Sequence, residues 1–397
     1  MADRFEIEYA GRPLVIEVGK VARQAGGSAL VRYGDSVILA TATASREPRQ
    51  GIDFFPLLVD WEERQYSVGR IPGSFFRREG RPSERAILCA RLTDRPLRPR
   101  FPKGFRNDVQ VVVTVFSVDP GSPIEFAGLL GASTALSVSD IPFDGPIGAV
   151  VVGRLGGEFV INPGLEQMHE SDIRVIVAAS RDAVLMVEAE ADQVPEEDVT
   201  EAIFFAFEAC QDLITFQERI ARAVGRPKGD YPIHSVPAEL AEAVRKAALP
   251  SIRAVLGSPD KLTRENALDE VESEVKEALL ADWPDSATDI GEVFKLTLRE
   301  EVRRMVIEEG RRPDGRKPDE VRQVTCEVGI LPRTHGSGLF TRGQTQVLTI
   351  ATLGSVGDVQ KIDSPGAETE KRYMHHYNFP AYSVGEVRPM RGPGRRE

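Results

Sequence analysis

The stretch Phe75-Phe76-Arg77-Arg78 places two aromatic faces directly beside two guanidinium groups. Rings offer stacking surfaces to bases and guanidinium forks offer charge and paired donors to phosphates, a combination suited to single-stranded nucleic acid. From Phe75 to Arg106 the chain carries ten Arg or Lys against Glu79, Glu84 and Asp94, a local balance of +7. The whole chain carries −11. Positive charge concentrated against that trend marks one focused polyanion site, not a surface that coats nucleic acid throughout. A solvated basic helix beside a core Phe pair is the bland alternative, and the density of arginine favours the nucleic-acid reading over it.

The flanking residues predict how these groups are held. Gly73-Ser74 leads into the aromatic pair and predicts a loop. Pro82 and Ser83 predict a helix start, with Ser83 as the cap of a short helix through Ile87, Leu88 and Leu92 that Pro96 ends. Arg91 and Arg95 then lie four apart on one face of it. Residues 4–44 read as short strands, with Tyr33-Gly34-Asp35 a hairpin signal before the run from Ser36 to Thr43. Further strands are predicted at 54–61, 108–118, 148–152, 158–161, 173–179 and 183–189. A buried helix is predicted at 124–137, and a long amphipathic one at 196–224. The pattern is α+β, with helices packed on sheets.

Length and composition bound the rest. A chain of 397 residues with 41% hydrophobic and 28% charged residues is an ordinary globular protein of two or three domains. Cys89, Cys210 and Cys326 lie far apart, without metal-ligand spacing or a disulfide framework, as fits a reducing cytoplasm. The N-terminus has no apolar signal core, and no run is long enough to span a membrane. From about residue 227 to 311 the patterns are all helical and rich in Ala, Leu, Glu and Lys, which predicts a linker domain with solvated charged faces.

Beyond that linker the chain repeats itself. Residues 27–36 (GSALVRYGDS) align with 336–345 (GSGLFTRGQT) at a constant offset of 309, extending to Ala42-Thr43 with Ala351-Thr352. Phe55-Pro56 then pairs with Phe379-Pro380, and Arg77-Arg78-Glu79 with Arg395-Arg396-Glu397. Four landmarks in one order indicate a duplicated domain. At least another hundred residues follow Glu79 in the first copy and none follow Glu397 in the second, so a truncated product or a fragment of a longer chain is expected.

Four strings carry a family resemblance: FFRREGRPSE at 75–84, RPDGR at 312–316, LPRTHGSGLFTRGQTQVL at 331–348 and HHYNFPAYSVGE at 375–386. With these, the whole chain resembles bacterial polynucleotide phosphorylase. The resemblance implies duplicated RNase PH-like cores: the first over 1–226, an all-helical linker over 227–311, and the start of the second, truncated, over 312–397. It implies a phosphate-dependent 3′→5′ exoribonuclease acting in mRNA degradation, a polyribonucleotide nucleotidyltransferase releasing nucleoside diphosphates. Inorganic phosphate is the implied co-substrate, single-stranded RNA the partner and Mg²⁺ the cofactor. A cytoplasmic homotrimer with RNA threaded through a central pore is implied as well, and an assembly with an endoribonuclease and a helicase. Phe75, Phe76, Arg77 and Arg78 match the pore constriction, and Arg95 and Arg98 match further arginines implicated in activity. Arg316, Arg395 and Arg396 match groups that hold the substrate phosphate and RNA backbone. The catalytic and metal-binding residues of the family are expected downstream of Glu397. Little phosphorolytic activity is therefore expected of the chain as given.

Other residues rank lower. His375-His376 is read as a structural pair on a strand, and Asp60, Glu62 and Glu63 beside Trp61 as a charged strand end. Gly26-Gly27 and Gly336-Ser337-Gly338 lack the lysine and spacing of a nucleotide loop and are read as turns. The competing reading from another class is a non-catalytic ring component that only binds and channels RNA. A single-core phosphorolytic nuclease that trims tRNA is disfavoured by the duplication and the linker.

Overall fold

A computed structural model describes residues 3–366, 368–390 and 392–394. The chain divides into two compact units, Met1–His234 together with Val359–Glu397, and Ser235–Asp358. The architecture is α+β, as the sequence patterns predict.

The first unit is built on two sheets. Strands β1 (Asp3–Tyr9), β2 (Arg12–Val18), β3 (Gly27–Tyr33), β4 (Ser36–Ala44) and β5 (Leu57–Glu63) precede helix α1 (Glu84–Leu97). Strand β6 (Val109–Ser117) completes a six-stranded sheet in the order β1-β2-β3-β4-β6-β5, antiparallel except for the parallel pair β5–β6. Helix α2 (Ile124–Val138) follows, then β7 (Gly148–Leu155), β8 (Glu158–Ile161), the short α3 (Leu165–Glu170), β9 (Ile173–Ala179), β10 (Val184–Ala191) and the long α4 (Glu196–Val224). The second sheet runs β10-β9-β7-β8. Period-two burial sets the faces: Val109, Val111, Val113 and Val115 of β6 all point into the core.

Helix α2 is buried on every side save at Glu125, and it packs against β3, β4 and β6 as well as β7 and α4. Its backbone reaches the first sheet closely. A Cβ on Gly27 would stand 2.0 Å from the carbonyl oxygen of Ala135. This explains why Gly27 lies inside β3, where a turn had been expected; Gly336-Ser337-Gly338 also lies inside a later strand instead of a turn. A Cβ on Gly128 would meet the Trp61 ring at 2.1 Å, so the indole of β5 is seated on that glycine. After α4, Lys228 donates to the carbonyls of Leu136, Ser137 and Ser139 at 2.9, 3.3 and 2.9 Å, closing the end of α2.

In the second unit α5 (Ala238–Val255), α6 (Lys261–Leu280) and α7 (Ala287–Glu308) pack around Leu240, Val244, Ala248 and Ile252, a four-residue spacing that lines one face of α5. Helix α5 continues through Pro250 to Val255. Strands β11 (Val324–Val328), β12 (Gly336–Arg342) and β13 (Thr345–Ala351) form an antiparallel sheet, and every residue of β11 and β13 is exposed. Two short strands, β14 (Gln360–Lys361) and β15 (Glu370–Lys371), return to the first unit.

The repeat is visible in the register. Gly27 pairs with Ala42 and Tyr33 with Ser36; at the same offset, Gly336 pairs with Ala351 and Arg342 with Thr345. Gly34 and Gly343 take left-handed φ of 58° and 60° in the two-residue turns between these strands. A second landmark recurs in the first unit. The turns Gln65–Val68 and Ala381–Val384 each end on a left-handed glycine, Gly69 at φ 70° and Gly385 at φ 71°. His375-His376, placed on a strand by the sequence reading, lies in an irregular segment before that turn.

Glu301 of α7 ties that helix to α5. Its carboxylate takes Arg253 at 2.9 and 3.1 Å and Arg304 at 2.6 and 3.0 Å, and these bonds, opposed by burial, pull its pKa down to about 2. A carboxyl held below its ordinary 4.5 stabilises the fold above that value and loses the contribution as the pH falls toward 2. In thermal unfolding Glu301→Gln should cost about 1–3 kcal/mol at neutral pH. The difference from wild type should shrink toward zero by the acid end, and a difference independent of pH would contradict this assignment.

Candidate nucleic-acid interface

The aromatic-arginine stretch forms the tip of an arch between the end of β5 and the start of α1. Both feet are fixed. Ser83 caps α1 by accepting the Ala86 N–H at 3.0 Å, and its hydroxyl donates to Glu63 of β5 at 2.6 Å. Helix α1 begins where the sequence predicts, and runs one residue beyond Pro96. At the other foot, Glu79 accepts the Gln65 backbone N–H at 3.1 Å. Backbone hydrogen bonds, its own N–H first and then that of Gln65, hold the Glu79 carboxyl below its usual range against burial, with Arg64 and Arg78 adding to the effect.

The tip is braced internally and bare outwardly. Ser74 Oγ donates to the Arg78 carbonyl at 2.8 Å, and the Arg77 N–H donates to the Ser74 carbonyl at 2.9 Å. Arg77 takes a left-handed φ of 51°, a conformation costing a non-glycine residue about 1 kcal/mol. Phe75 and Phe76 meet edge to face at 5.4 Å, and their exposures are 93% and 85%. Burying such a ring is ordinarily worth about 1.5–3 kcal/mol, which the folded chain leaves unclaimed at both positions. Beneath the tip a cavity of about 140 Å³ is lined by Trp61, Glu63, Gln65, Arg78, Arg81 and Asp363 among others.

The surrounding arginines fall into two groups. Arg64 pairs with Glu62, Arg85 with Glu125 and Glu63, and Arg100 with Asp144. Arg95 pairs with Glu188. Arg98 holds Asp94 through two bonds of 2.7 and 2.6 Å, donates to the carbonyls of Phe55 and Leu57 at 3.1 Å, and lies over the Phe55 ring. Among the described residues, Arg77, Arg78 and Arg81 have no carboxylate within ion-pair distance, so the charge that the sequence spreads along this segment is open to an anion at the tip. In the second unit, Arg316 is drawn into its own turn by Asp314 at 3.0 Å and by the Glu320 carbonyl. Arg395 and Arg396 lie outside the described residues.

Carboxylates near the arch do not compose a metal site. Glu62, Glu63, Glu79 and Asp363 each hold a protein partner, and among the described residues no three His, Cys, Asp or Glu side chains converge here to hold an ion. Mg²⁺ does not fit this region. What the arrangement offers is stacking on Phe75 and Phe76 and phosphate contacts at Arg77, Arg78 and Arg81. Sequence reasoning missed the supports, Gln65 and Asp363, which hydrogen bond across 298 residues at 3.1 Å. No local signal could have joined them.

Arg77→Gly removes a guanidinium and relieves the left-handed backbone at one stroke. Stability should hold or rise by about 1 kcal/mol, while binding of a single-stranded oligonucleotide weakens and its salt slope falls by roughly 0.7. Unfolding curves and binding at two salt concentrations read both. Lower stability with unchanged binding would show that Arg77 serves the fold instead.

Residues 10–142 and 320–397 match the 3′ exoribonuclease family, domain 1, and residues 145–209 match domain 2 of the same family. Residues 239–317, between those copies in sequence, match the RNA binding domain of polyribonucleotide nucleotidyltransferase. A Heliobacterium modesticaldum protein named polyribonucleotide nucleotidyltransferase is 58% identical over 393 residues, 99% of this chain and 55% of its own. One of the same name from Bacillus cereus (strain G9842) is 55% identical over 395 residues, with the same coverage. The chain thus spans about 55% of the length of these curated relatives. Among solved structures, rice (Oryza sativa) Rrp46 covers 53% of this chain and 95% of its own, at 17% identity and a TM-score of 0.42. With domain 1 matched over more than half of its length, the chain belongs to the 3′ exoribonuclease family of RNase PH-like proteins.

Proposed function

We propose that this chain is the RNA-entry part of a phosphate-dependent 3′→5′ exoribonuclease, a polyribonucleotide nucleotidyltransferase, with little phosphorolytic activity by itself, and that its first core grips single-stranded RNA on the way to the chemistry. The observation that carries the RNA role is the pair Phe75 and Phe76, both almost fully exposed on a braced arch beside guanidinium groups that have no carboxylate within ion-pair distance among the described residues. The names and domains of the relatives support the activity. Inorganic phosphate would be the co-substrate, attacking the terminal phosphodiester so that nucleoside diphosphates leave.

Within this reading the residues take different parts. Phe75 and Phe76 stack bases, and Arg77 and Arg78 hold phosphates. Arg95 can exchange Glu188 for an RNA phosphate, since their ion pair lies at the surface. Arg98 works through the fold, fixing the entry to β5 from the end of α1. Arg316 shapes the turn before β11, and Arg395 and Arg396 would hold the RNA backbone as the second copy's counterparts of Arg77 and Arg78. A homotrimer would bring three arches to one RNA path, and a cytoplasmic setting would suit mRNA degradation. Among the described residues no helix is long and apolar enough to cross a membrane.

A non-catalytic RNA-channelling ring component is the second reading, and the same arch would serve it. Product analysis separates the two. A longer chain carrying the complete second core should degrade RNA only when phosphate is supplied and release diphosphates, whereas monophosphates formed without phosphate would mean hydrolysis. Each stacked base is worth about 1–3 kcal/mol, so Phe76→Ala should weaken binding of long RNA by roughly tenfold. Short oligonucleotides that need not cross the arch should lose least. If all lengths lose turnover equally while binding stays intact, the arch belongs to the catalytic step.

A further inference from the structure

The arch needs something to stop it moving. Between Ile71 and Arg78 its outward side chains touch little besides each other, and its tip bonds run from Ser74 to Arg77 and Arg78. One carboxylate from far along the chain anchors it. Asp363, in the connection between β14 and β15, accepts the Gly73 backbone N–H through Oδ2 at 2.7 Å and the Gln65 side-chain amide through Oδ1 at 3.1 Å. Gln65 stands at the foot of the arch and Gly73 just before its aromatic tip, so a single side chain spans the rising limb. The approach is close: a Cβ on Gly73 would lie 2.7 Å from that Oδ2. The segment bearing Asp363 is seated a second time, through Lys371 on Glu84 at 3.1 Å.

We propose that Asp363 is a positioning residue for RNA binding, which fixes where Phe75 and Phe76 are presented. This rests on the RNA role assigned to the arch above. A stacking platform that is already ordered spends less of its contact energy on immobilisation when a base lands. Asp363 comes from the part of the chain that repeats the first core, so its carboxylate makes the RNA grip of one copy depend on the folding of the other.

The sign of a mutation separates this from plain electrostatics. A carboxylate near bound RNA repels it, so Asp363 acting only as a charge predicts tighter binding in Asp363→Ala. Positioning predicts the reverse, a loss of roughly tenfold, as expected for removing a hydrogen-bonded charged anchor. Asp363→Asn should restore the anchor without the charge. Its oxygen can accept from Gly73, and its amide can donate to Gln65 Oε1 after a flip of the Gln65 amide, an atom with no protein partner in the present arrangement. Gly73→Ala should displace the carboxylate from the other side, weakening binding in wild type and adding little in the Asp363→Ala background.

The test measures affinity for a long single-stranded RNA by anisotropy, and the rate of trypsin nicking after Arg77 and Arg78 without RNA. Expected are weaker binding and faster nicking in Asp363→Ala, with both near wild type in Asp363→Asn. Unchanged or tighter binding in Asp363→Ala overturns the proposal. If Phe76→Ala still weakens binding in that case, the fault lies with Asp363 alone. If Phe76→Ala is also without effect, the RNA role of the arch has failed and the positioning role with it.

Discussion

The fit of α2 into the first sheet is the constraint on which the candidate site depends. A helix apolar on nearly all sides has to be covered on nearly all sides, and it approaches the sheet closely only because Gly27 and Gly128 carry no Cβ. Trp61 fills the space over Gly128 and so fixes the register of β5. Two residues on, Glu63 accepts the Ser83 hydroxyl that caps α1. Core packing is thereby passed along β5 to both feet of the arch. The exposed tip is held by hydrogen bonds at its feet, where Gln65 is buried and Ser83 and Glu79 are half-buried.

Charge is divided along the same line. Arginines at the sides of this region, Arg64, Arg85, Arg95, Arg98 and Arg100, are joined to carboxylates and hold elements together. Among the described residues those at the tip, Arg77 and Arg78, have no carboxylate within ion-pair distance. Exposed aromatic rings beside guanidinium groups without an ion-pair partner among the described residues cost the fold stability that another arrangement would keep, a cost that the proposed RNA contact would return. A strained backbone at Arg77 belongs to the same pattern, in which local rules are broken at the place that binds.

Much of this was legible in the sequence. The Ser83 cap, the turn at Gly34, the long helix over 196–224 and the duplication at offset 309 all rest on local chemistry or periodicity, and the structure reproduces each. Gly27 was misread as a turn because a close helix–sheet approach leaves no local trace, and Gly336-Ser337-Gly338, which lies in a strand, was misread likewise. Arginine density overstated the available charge, since the partners of Arg95 and Arg98 become known only with the fold. Asp363 was invisible for the plainest reason, that nothing near it in sequence hints at Gly73. The residues that touch RNA in this account were legible, and the residues that aim them were not.

The most direct test is to photocrosslink single-stranded RNA containing 4-thiouridine to the protein and identify the modified tryptic peptides. This account predicts that crosslinks concentrate on Ile71–Arg77, the peptide that carries both exposed rings. Crosslinks confined to peptides from Ser235–Asp358, with Ile71–Arg77 unmodified, would contradict it.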